Sequence, residues 1–428
     1  MRILILTNFY PPYEVGGFEQ NCRDVNLRLQ AKGHHVAVLT SDHGVPANAD
    51  RDEPGIYRSL QTQVDFAVKP GAAWQFFRRR PHAERHNEQV FKNVVTQFRP
   101  EVIFFWHIEF LPRQITLQAE DFPGVAVAYY LAGFSPAEPD EYWLYWSQPA
   151  QKTSIRKLKS VVGGYALAKM RSEGQPLRPK LETVAVVSAY ERVRGIAAGT
   201  LPSDAEVIYN GVEVEQFYNP VKAEINGRLR ILQAGRVSAG KGAHLAIEAL
   251  AQLKQNEGNQ NVELVIAGTG PDAYLKQLLE LVTAHDLADQ VTFTGWLSRT
   301  EMPDLMSRCH VLLLPTVHHE PFARVILEGM CSGLAVIASR TGGTEELVQH
   351  NVTGLTFDGS SQDLALQMKR LLTEPNLRIQ MAKTGQEIVQ RDFSLEKMVE
   401  RLENLLVKAQ GKNGQVEDPL LSSLAIVG

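Results

Sequence analysis

Several polar clusters along the 428-residue chain have the residue types and spacing that phosphate and sugar-hydroxyl chemistry needs. In LLLPTVHHEPFARVILEGM, Glu320 stands just before Pro321, and Pro321 suits the first turn of a helix that carries Glu328. Eight helical residues span about 12 Å and rotate the two carboxylates about 80° apart. They are therefore no acid–base dyad, and the spacing suits two carboxylates that hold hydroxyls at separate points along one extended ligand. Upstream, AGRVSAGKG places Gly235, Arg236, Lys241 and Gly242 directly after an apolar run. Two cations on a glycine loop are what a diphosphate needs, because Arg offers a fork of donors and Lys a point charge. The loop is not a Walker loop, since Gly242 stands where the Lys-Ser/Thr ending is required. Thr341, Gly342 and Gly343 open a short helix at TEELV, whose N-terminus favours an anion. In PPYEVGGFEQ, Gly16 and Gly17 precede a helix expected to start near Glu19. Glycines there let backbone N–H groups approach an anion or a sugar, although the same pair serves a plain strand-to-helix turn.

These loops need a scaffold. Residues 2–7 (RILILT) form an apolar, β-favouring run, followed by the glycine loop, a helical pattern through Val25, Leu27 and Leu29, and HHVAVLT. Strand, loop, helix and strand in that order make a βαβ unit with a parallel sheet. The alternation returns at VIFFW (102–106), VAVAYYL (125–131) and TVAVVS (183–188). A second series opens at LRILQAG (229–235) and runs through VELVIAG, VTFTG, VLLLPT and LAVIAS. A single hydrophobic core stops growing near about 250 to 300 residues, so two domains are expected. The reading is an α/β chain of two doubly wound, Rossmann-like domains facing each other across a cleft. The N-terminal domain would span 1–209, a linker rich in Asn, Gly and charge 210–228, and the C-terminal domain 229–390. A helix at 391–408 can pack back on the N-terminal domain, and 409–428, without a helical stripe, reads as a loosely held tail. In open parallel sheets ligands sit beyond the carboxyl ends of the strands, and that is where the polar clusters fall.

Composition narrows the function. With 44 Lys plus Arg against 48 Asp plus Glu, the net charge is −4 and the pI about 6.3, so nothing drives the chain toward nucleic acid. Cys22, Cys309 and Cys331 are too few and too scattered for a disulfide framework or a zinc site. His34, His35, His318 and His319 lack carboxylate or thiolate partners at metal-ligand spacing, so neither a metal nor another cofactor is expected. Asp50 and Asp52 form a D-x-D, but PANADRDEPG is polar with no strand before it and reads as a solvated loop. MRILILTNFYPP is broken by Asn8 and two prolines and reads as neither a signal peptide nor a span, and the few scattered cysteines fit a reducing cytoplasm. The segment 152–171 holds Lys152, Arg156, Lys157, Lys159, Lys169 and Arg171 without an acid, with Ile155, Leu158, Val162 and Tyr165 at helical spacing. It could lie at the periphery of an anionic membrane or grip an anionic acceptor. The favoured reading is a solvated helix face, interrupted at Gly163 and Gly164, that packs Ile155 and Leu158 inward. Arg78, Arg79 and Arg80 are read in the same way, and Trp143, Tyr145 and Trp146 either stack on a sugar or fill the core.

Taken in order, G-R-x-x-x-x-K-G, E-P-F-x-x-x-x-x-E and GG-x-x-E resemble the donor-binding half of retaining glycosyltransferases of family four, with the GT-B fold. The likeness extends over most of the chain: GGFEQ with GHHVAVLT resembles the family's N-terminal unit, VSAYERVRG with VIYNGVEVEQF its interdomain stretch, and IAGTGP its donor-domain turn. The resemblance implies transfer of a sugar from a nucleotide-diphosphate donor, UDP first and GDP or ADP as alternatives, without a metal. It implies that Arg236 and Lys241 neutralise the departing diphosphate and that Glu320 binds sugar hydroxyls with the Phe322 and Ala323 backbone. Glu328 would hold the ribose, while Gly16, Gly17, Gly235, Gly270, Arg324, Gly342 and Gly343 would complete the donor site. Where members often carry a His or Asp after the third N-terminal strand, this chain has Ala132 and Gly133, which leaves His107 as the nearest acceptor-side polar group. The acceptor is a sugar, a lipid or another small molecule. A nucleotide-sugar-binding module that has lost catalysis and a sugar-nucleotide epimerase are the alternatives, the latter without the clustered acid–base residues it needs. Starch and glycogen synthases typically show a Lys before the N-terminal glycine pair, where this chain has Glu14 and Val15.

Overall fold

The computed structural model describes residues 1–13, 16–46, 53–63, 75–150, 152–225, 227–257 and 261–414. Glu14, Val15, Asp50 and Asp52 lie outside them. The chain forms two units: Met1–Val187 with Arg192–Ile208 and the stretch from Val399 onward, and Ser188–Glu191 with Tyr209–Met398.

The N-terminal unit is built on seven parallel strands: β1 (Arg2–Thr7), β2 (His35–Ser41), β3 (Ile56–Leu60), β4 (Val102–His107), β5 (Ala126–Leu131), β6 (Val184–Val186) and β7 (Glu206–Val207). Their order is β3-β2-β1-β4-β5-β6-β7, with Leu4 beside Ala37 on one side and Ile103 on the other. Leu4, Ile5, Ile103, Phe104 and Phe105 are wholly buried, as expected of strands covered by helices on both faces. Each such side chain contributes about 1.5 to 3 kcal/mol of transfer free energy. The helix Leu395–Gly414 runs past residue 408, where the sequence reads as a tail. Leu402, Leu405, Leu406 and Ala409 recur at helical spacing and are buried, so the apolar stripe continues beyond the expected end. Glu403 accepts from His34 and pairs with Lys32, while Gln410 donates to Glu101.

The basic segment departs from its favoured reading. The helix Arg156–Ser172 passes unbroken through Gly163 and Gly164. A Cβ at 163 would lie 3.0 Å from the Trp146 carbonyl oxygen, so the missing side chain allows close packing on the helix Glu141–Ser147. Ile155 and Leu158 point outward at 45% and 66% exposure, because Gly163, Ala166 and Met170 form the buried face instead. Trp146 and Tyr142 fill a core with Phe76, whereas Arg171 and Lys159 lie over the rings of Trp143 and Tyr145. Arg80 is not solvated either: it is buried, paired with Glu84 and Glu173.

The C-terminal unit carries six parallel strands: β8 (Leu229–Ala234), β9 (Val262–Ala267), β10 (Val291–Gly295), β11 (Val311–Leu314), β12 (Ala335–Ser339) and β13 (Leu355–Phe357). The order is β10-β9-β8-β11-β12-β13. The chain therefore reverses its direction of travel across the sheet between β8 and β11, which are neighbours in space. A crevice opens beyond the carboxyl ends at such a switch point. Residues 209–228 belong to this unit, with Arg378 donating to the carbonyls of Lys222 and Ala223.

Candidate functional site

The loops after β8 and β11 meet at that switch point. Gly235 leaves β8 at φ +127, a conformation that L side chains rarely adopt, and donates to the Ala267 carbonyl at 2.9 Å. Val237 donates to the Thr269 carbonyl at 2.8 Å, so the loops after β8 and β9 are zipped together. A Cβ at Gly270 would fall 1.7 Å from the Val237 carbonyl oxygen, which leaves glycine as the fitting residue. Ala239–Lys241 form one 3-10 turn, and Gly242, at φ +71, brings the next helix against the chain leaving β11 so closely that a Cβ would lie 1.9 Å from the Pro315 carbonyl oxygen.

This geometry delivers the two charged groups that the sequence places 79 residues apart. Lys241 Nζ lies 2.5 Å from Glu320 Oε2. Gln233 donates to the Lys241 carbonyl, and Val317 N–H donates to that of Gly240. Arg236 is exposed on the same loop. A lysine and a carboxylate so paired can separate toward a ligand that presents a phosphate to one and hydroxyls to the other.

The Glu320–Glu328 geometry differs from the sequence expectation. The helix starts at Arg324, not at Pro321, and runs to Cys331, so the two carboxylates are not eight helical residues apart. Residues 320–323 are held out of the helix by their neighbours. Gly343 N–H donates to the Glu320 carbonyl at 2.8 Å, and Asn210 donates to that of Phe322 at 3.3 Å. The Phe322 ring packs against Tyr209 and Phe393 with centroids 5.0 and 6.0 Å away. Glu328 lies 3.6 Å from Arg324 one turn earlier, which ties together two residues of the expected set. The TEELV helix is a single 3-10 turn, Gly342–Glu346. Its glycines are required by contact, since a Cβ at 342 or 343 would fall within 2.2 Å of the Glu320 or Pro321 carbonyl oxygen. The hydroxyls of Thr316, Thr341 and Thr344 are buried with no hydrogen-bond partner among the described residues.

Residues that sequence reasoning gave no role hold these loops in place. Both oxygens of Glu346 accept from the start of the helix Ala189–Ala197, with Ala189 N–H at 2.9 Å and Tyr190 N–H at 2.8 Å. Tyr209 Oη–H donates to the same carboxylate at 2.9 Å. Tyr190 in turn stacks on His319, with centroids 5.7 Å apart. The spacing GG-x-x-E marks Glu346 in the sequence, but only the fold shows what it grips.

In the N-terminal unit the helix begins at Gly17, and Gly16 N–H donates to the Glu19 carboxylate at 3.0 Å. Gly16 is extended at φ −160, and a Cβ at 17 would meet nothing within 4 Å. Neither backbone strain nor packing among the described residues demands the glycines. His107 ends β4 with Nε2 3.4 Å from Glu109 Oε2 and with the Phe18 ring edge-on. The imidazole beside it holds the Glu109 carboxyl below its usual range. His107 Nδ1 is buried without a hydrogen-bond partner among the described residues. Ala132 is half-buried, and the neighbouring Gly133 carbonyl accepts from Arg194.

Residues 215–388 match the family model of glycosyl transferases group 1. Over 262 residues the chain is 31% identical to the GDP-mannose-dependent alpha-(1-6)-phosphatidylinositol monomannoside mannosyltransferase of Mycobacterium tuberculosis, covering 57% of this chain and 66% of that protein. Curated relatives matched at 29–31% identity are spanned over 51–66% of their length. Over 406 residues it is 24% identical to glycogen synthase of the same organism, covering 92% and 91% of the two chains. The crystal structure of Anabaena HepE in complex with UDP superposes with a TM-score of 0.66 at 19% identity, covering 95% of this chain and all of that one. At that identity the likeness is one of fold, and it is the GT-B fold.

Proposed function

We propose that this chain, a member of the glycosyl transferases group 1 family with the GT-B fold, is a hexosyltransferase that moves a sugar from a nucleotide-diphosphate donor to an acceptor hydroxyl. The observation that carries the reading is the Lys241–Glu320 pair, 2.5 Å apart at the β8/β11 switch point on loops closed by glycine contacts. Lys241, with Arg236, meets the diphosphate and stabilises the charge that develops as it leaves. Glu320, released from the ion pair, accepts hydrogen bonds from sugar hydroxyls, and Glu328, steadied by Arg324, takes those of the ribose. The bond between the anomeric carbon and the diphosphate oxygen breaks as the acceptor oxygen bonds to the same face. The acceptor proton passes to the departing diphosphate, so no enzyme nucleophile and no metal enters the step.

Two similar proteins bear on the donor: the mycobacterial relative is GDP-mannose-dependent, and the Anabaena protein was crystallised with UDP. UDP-sugars are the first choice here and GDP-sugars the second. The acceptor is a sugar, a lipid or a small molecule that meets His107 and the glycine pair, and the reaction takes place in the cytoplasm. A catalytically weakened binding module is the second reading, and Ala132, where the resemblance leads one to expect a polar side chain, is the observation that favours it.

The test is a thermal-shift and donor-hydrolysis panel with UDP-, GDP- and ADP-sugars and no added metal. A ligand that binds only the folded state at 100 times its Kd stabilises it by about 2.7 kcal/mol. Stabilisation by one nucleotide family with slow release of its diphosphate is the expected result. Stabilisation without release, with and without candidate acceptors, would select the binding module, and no response to any donor would refute both readings.

A further inference from the structure

The N-terminal unit carries a surface that the proposed reaction leaves unused. The helix Arg156–Ser172 buries Gly163, Ala166 and Met170 in a core with Phe76, Tyr142 and Trp146. Its other side exposes Leu158 at 66%, Val161 at 74% and Tyr165 at 67%. At about 100° per residue, these three fall within a sector about 60° wide, with Lys157 along one border and Lys169 along the other. Single exposed apolar residues are ordinary, whereas a contiguous stripe with cations at its borders marks an interaction site.

The charge pattern identifies the occupant. Between Lys152 and Ser172 there are six cations and no acid. Lys169 is paired with Glu173, and Lys159 and Arg171 lie over aromatic rings. Lys152, Arg156 and Lys157 are exposed and make no ion pair among the described residues. A second copy of the chain would bring the same cations against these, like charge facing like. An anionic bilayer accepts both features, taking apolar side chains below its headgroups and cations among them.

We propose that this face docks on anionic phospholipid, with Leu158, Val161 and Tyr165 entering the boundary between headgroups and acyl chains. Lys152, Arg156 and Lys157 bind the headgroup phosphates, and the helix lies in the plane of the interface at a depth of about 5 to 10 Å. The inference stands on this helix and not on the donor site, so it survives or fails separately from the proposed reaction.

The experiment is co-sedimentation of the full chain with vesicles of phosphatidylcholine alone or mixed with phosphatidylglycerol, at low and high salt. The wild type pellets with the mixed vesicles only, and salt releases it. Each cation near such a surface is worth roughly a fivefold change in partition, so Lys157→Glu, a change of two charges, weakens it roughly 25-fold. Val161→Glu abolishes it, while its thermal midpoint and its donor hydrolysis without vesicles match the wild type. Three results would overturn the proposal: no binding by the wild type, undiminished binding by Val161→Glu, or a wild-type dimer in equilibrium sedimentation that Val161→Glu dissociates.

Discussion

Replacing Lys241 by Ala separates the catalytic from the structural meaning of the Lys241–Glu320 pair. The lysine side chain is 37% exposed and the carboxylate 17%, so the pair is partly solvated. Ion pairs of this kind contribute about 0 to 1 kcal/mol to stability, because their mutual attraction is offset by screening and side-chain entropy. For a unit of this size, 1 kcal/mol moves the thermal midpoint by about 2 to 4 °C, and the variant should lose no more than that. The reaction asks more of the same group. Loss of one donor aimed at developing charge in a desolvated site costs about 2.7 to 4 kcal/mol, or roughly 100- to 1,000-fold in turnover. Turnover is measured by diphosphate release from saturating donor, and folding by the thermal midpoint without ligand. Arg at 241 should recover part of the rate and Met none. If turnover stays within about threefold of wild type, the lysine does not face the leaving group. If the midpoint instead falls by about 10 °C or more, the residue is structural and the ion pair is no guide to chemistry.

Glu328→Ala should raise the KM for the donor with kcat little changed, since a ribose contact is uniform between ground and transition states. Steady-state kinetics at varied donor reads this directly, and a drop in kcat alone would reassign the residue. Gly270→Ala forces a Cβ to within 1.7 Å of the Val237 carbonyl oxygen. That overpacking should cost about 1 to 3 kcal/mol and lower the midpoint by roughly 2 to 12 °C, visible in calorimetry. Acidification should destabilise the C-terminal unit through His310. Burial and the positive field of Arg378, Lys222 and Arg230 push its folded pKa down to about 4 from 6.5. The unfolded chain thus binds the proton more readily, so this contribution is full above pH 6.5 and is lost as pH falls toward 4. Thermal midpoints across that range, compared with those of His310→Gln, should show a slope that the variant flattens.

The scaffold was legible because parallel strands covered on both faces read as continuous apolar runs, and RILILT, VIFFW and VLLLPT can be little else. The loops were legible because glycine, Arg and Lys after a strand have a restricted chemistry. The Glu320–Glu328 distance was not, because the start of a helix is decided by neighbours the sequence does not adjoin. Pro321 is a reasonable first-turn residue, yet Gly343 and Asn210 claim the carbonyls of Glu320 and Phe322 and hold the chain extended. Helical periodicity ordered Ile155, Leu158 and Tyr165 correctly, but it cannot say which side of a helix meets the core. Gly163 decides that, by letting the backbone of one helix approach the other.

Glu346 shows how far the site extends beyond the groups that would touch a donor. Its carboxylate sits at the positive end of the helix Ala189–Ala197, accepts two backbone N–H groups and a tyrosine hydroxyl, and belongs to the same short turn as Gly342 and Gly343. Charged hydrogen bonds of this type contribute about 1.5 to 3 kcal/mol each, more than the partly solvated pair at Lys241. Ser188–Glu191 is a short separate piece of the C-terminal unit and Tyr209–Asn210 opens its main stretch, and both are bonded to the loops that carry Glu320 and Gly343. A change at Glu346 should therefore act on the donor loops without touching the donor. Glu346→Gln retains one acceptor and should lower the midpoint modestly while raising the donor KM, whereas Tyr209→Phe, which removes one bond of the same set, should produce a smaller version of both effects. If the two variants lowered stability but left the donor KM unchanged, the carboxylate would be a helix cap alone, and the loops would be held by their glycine contacts.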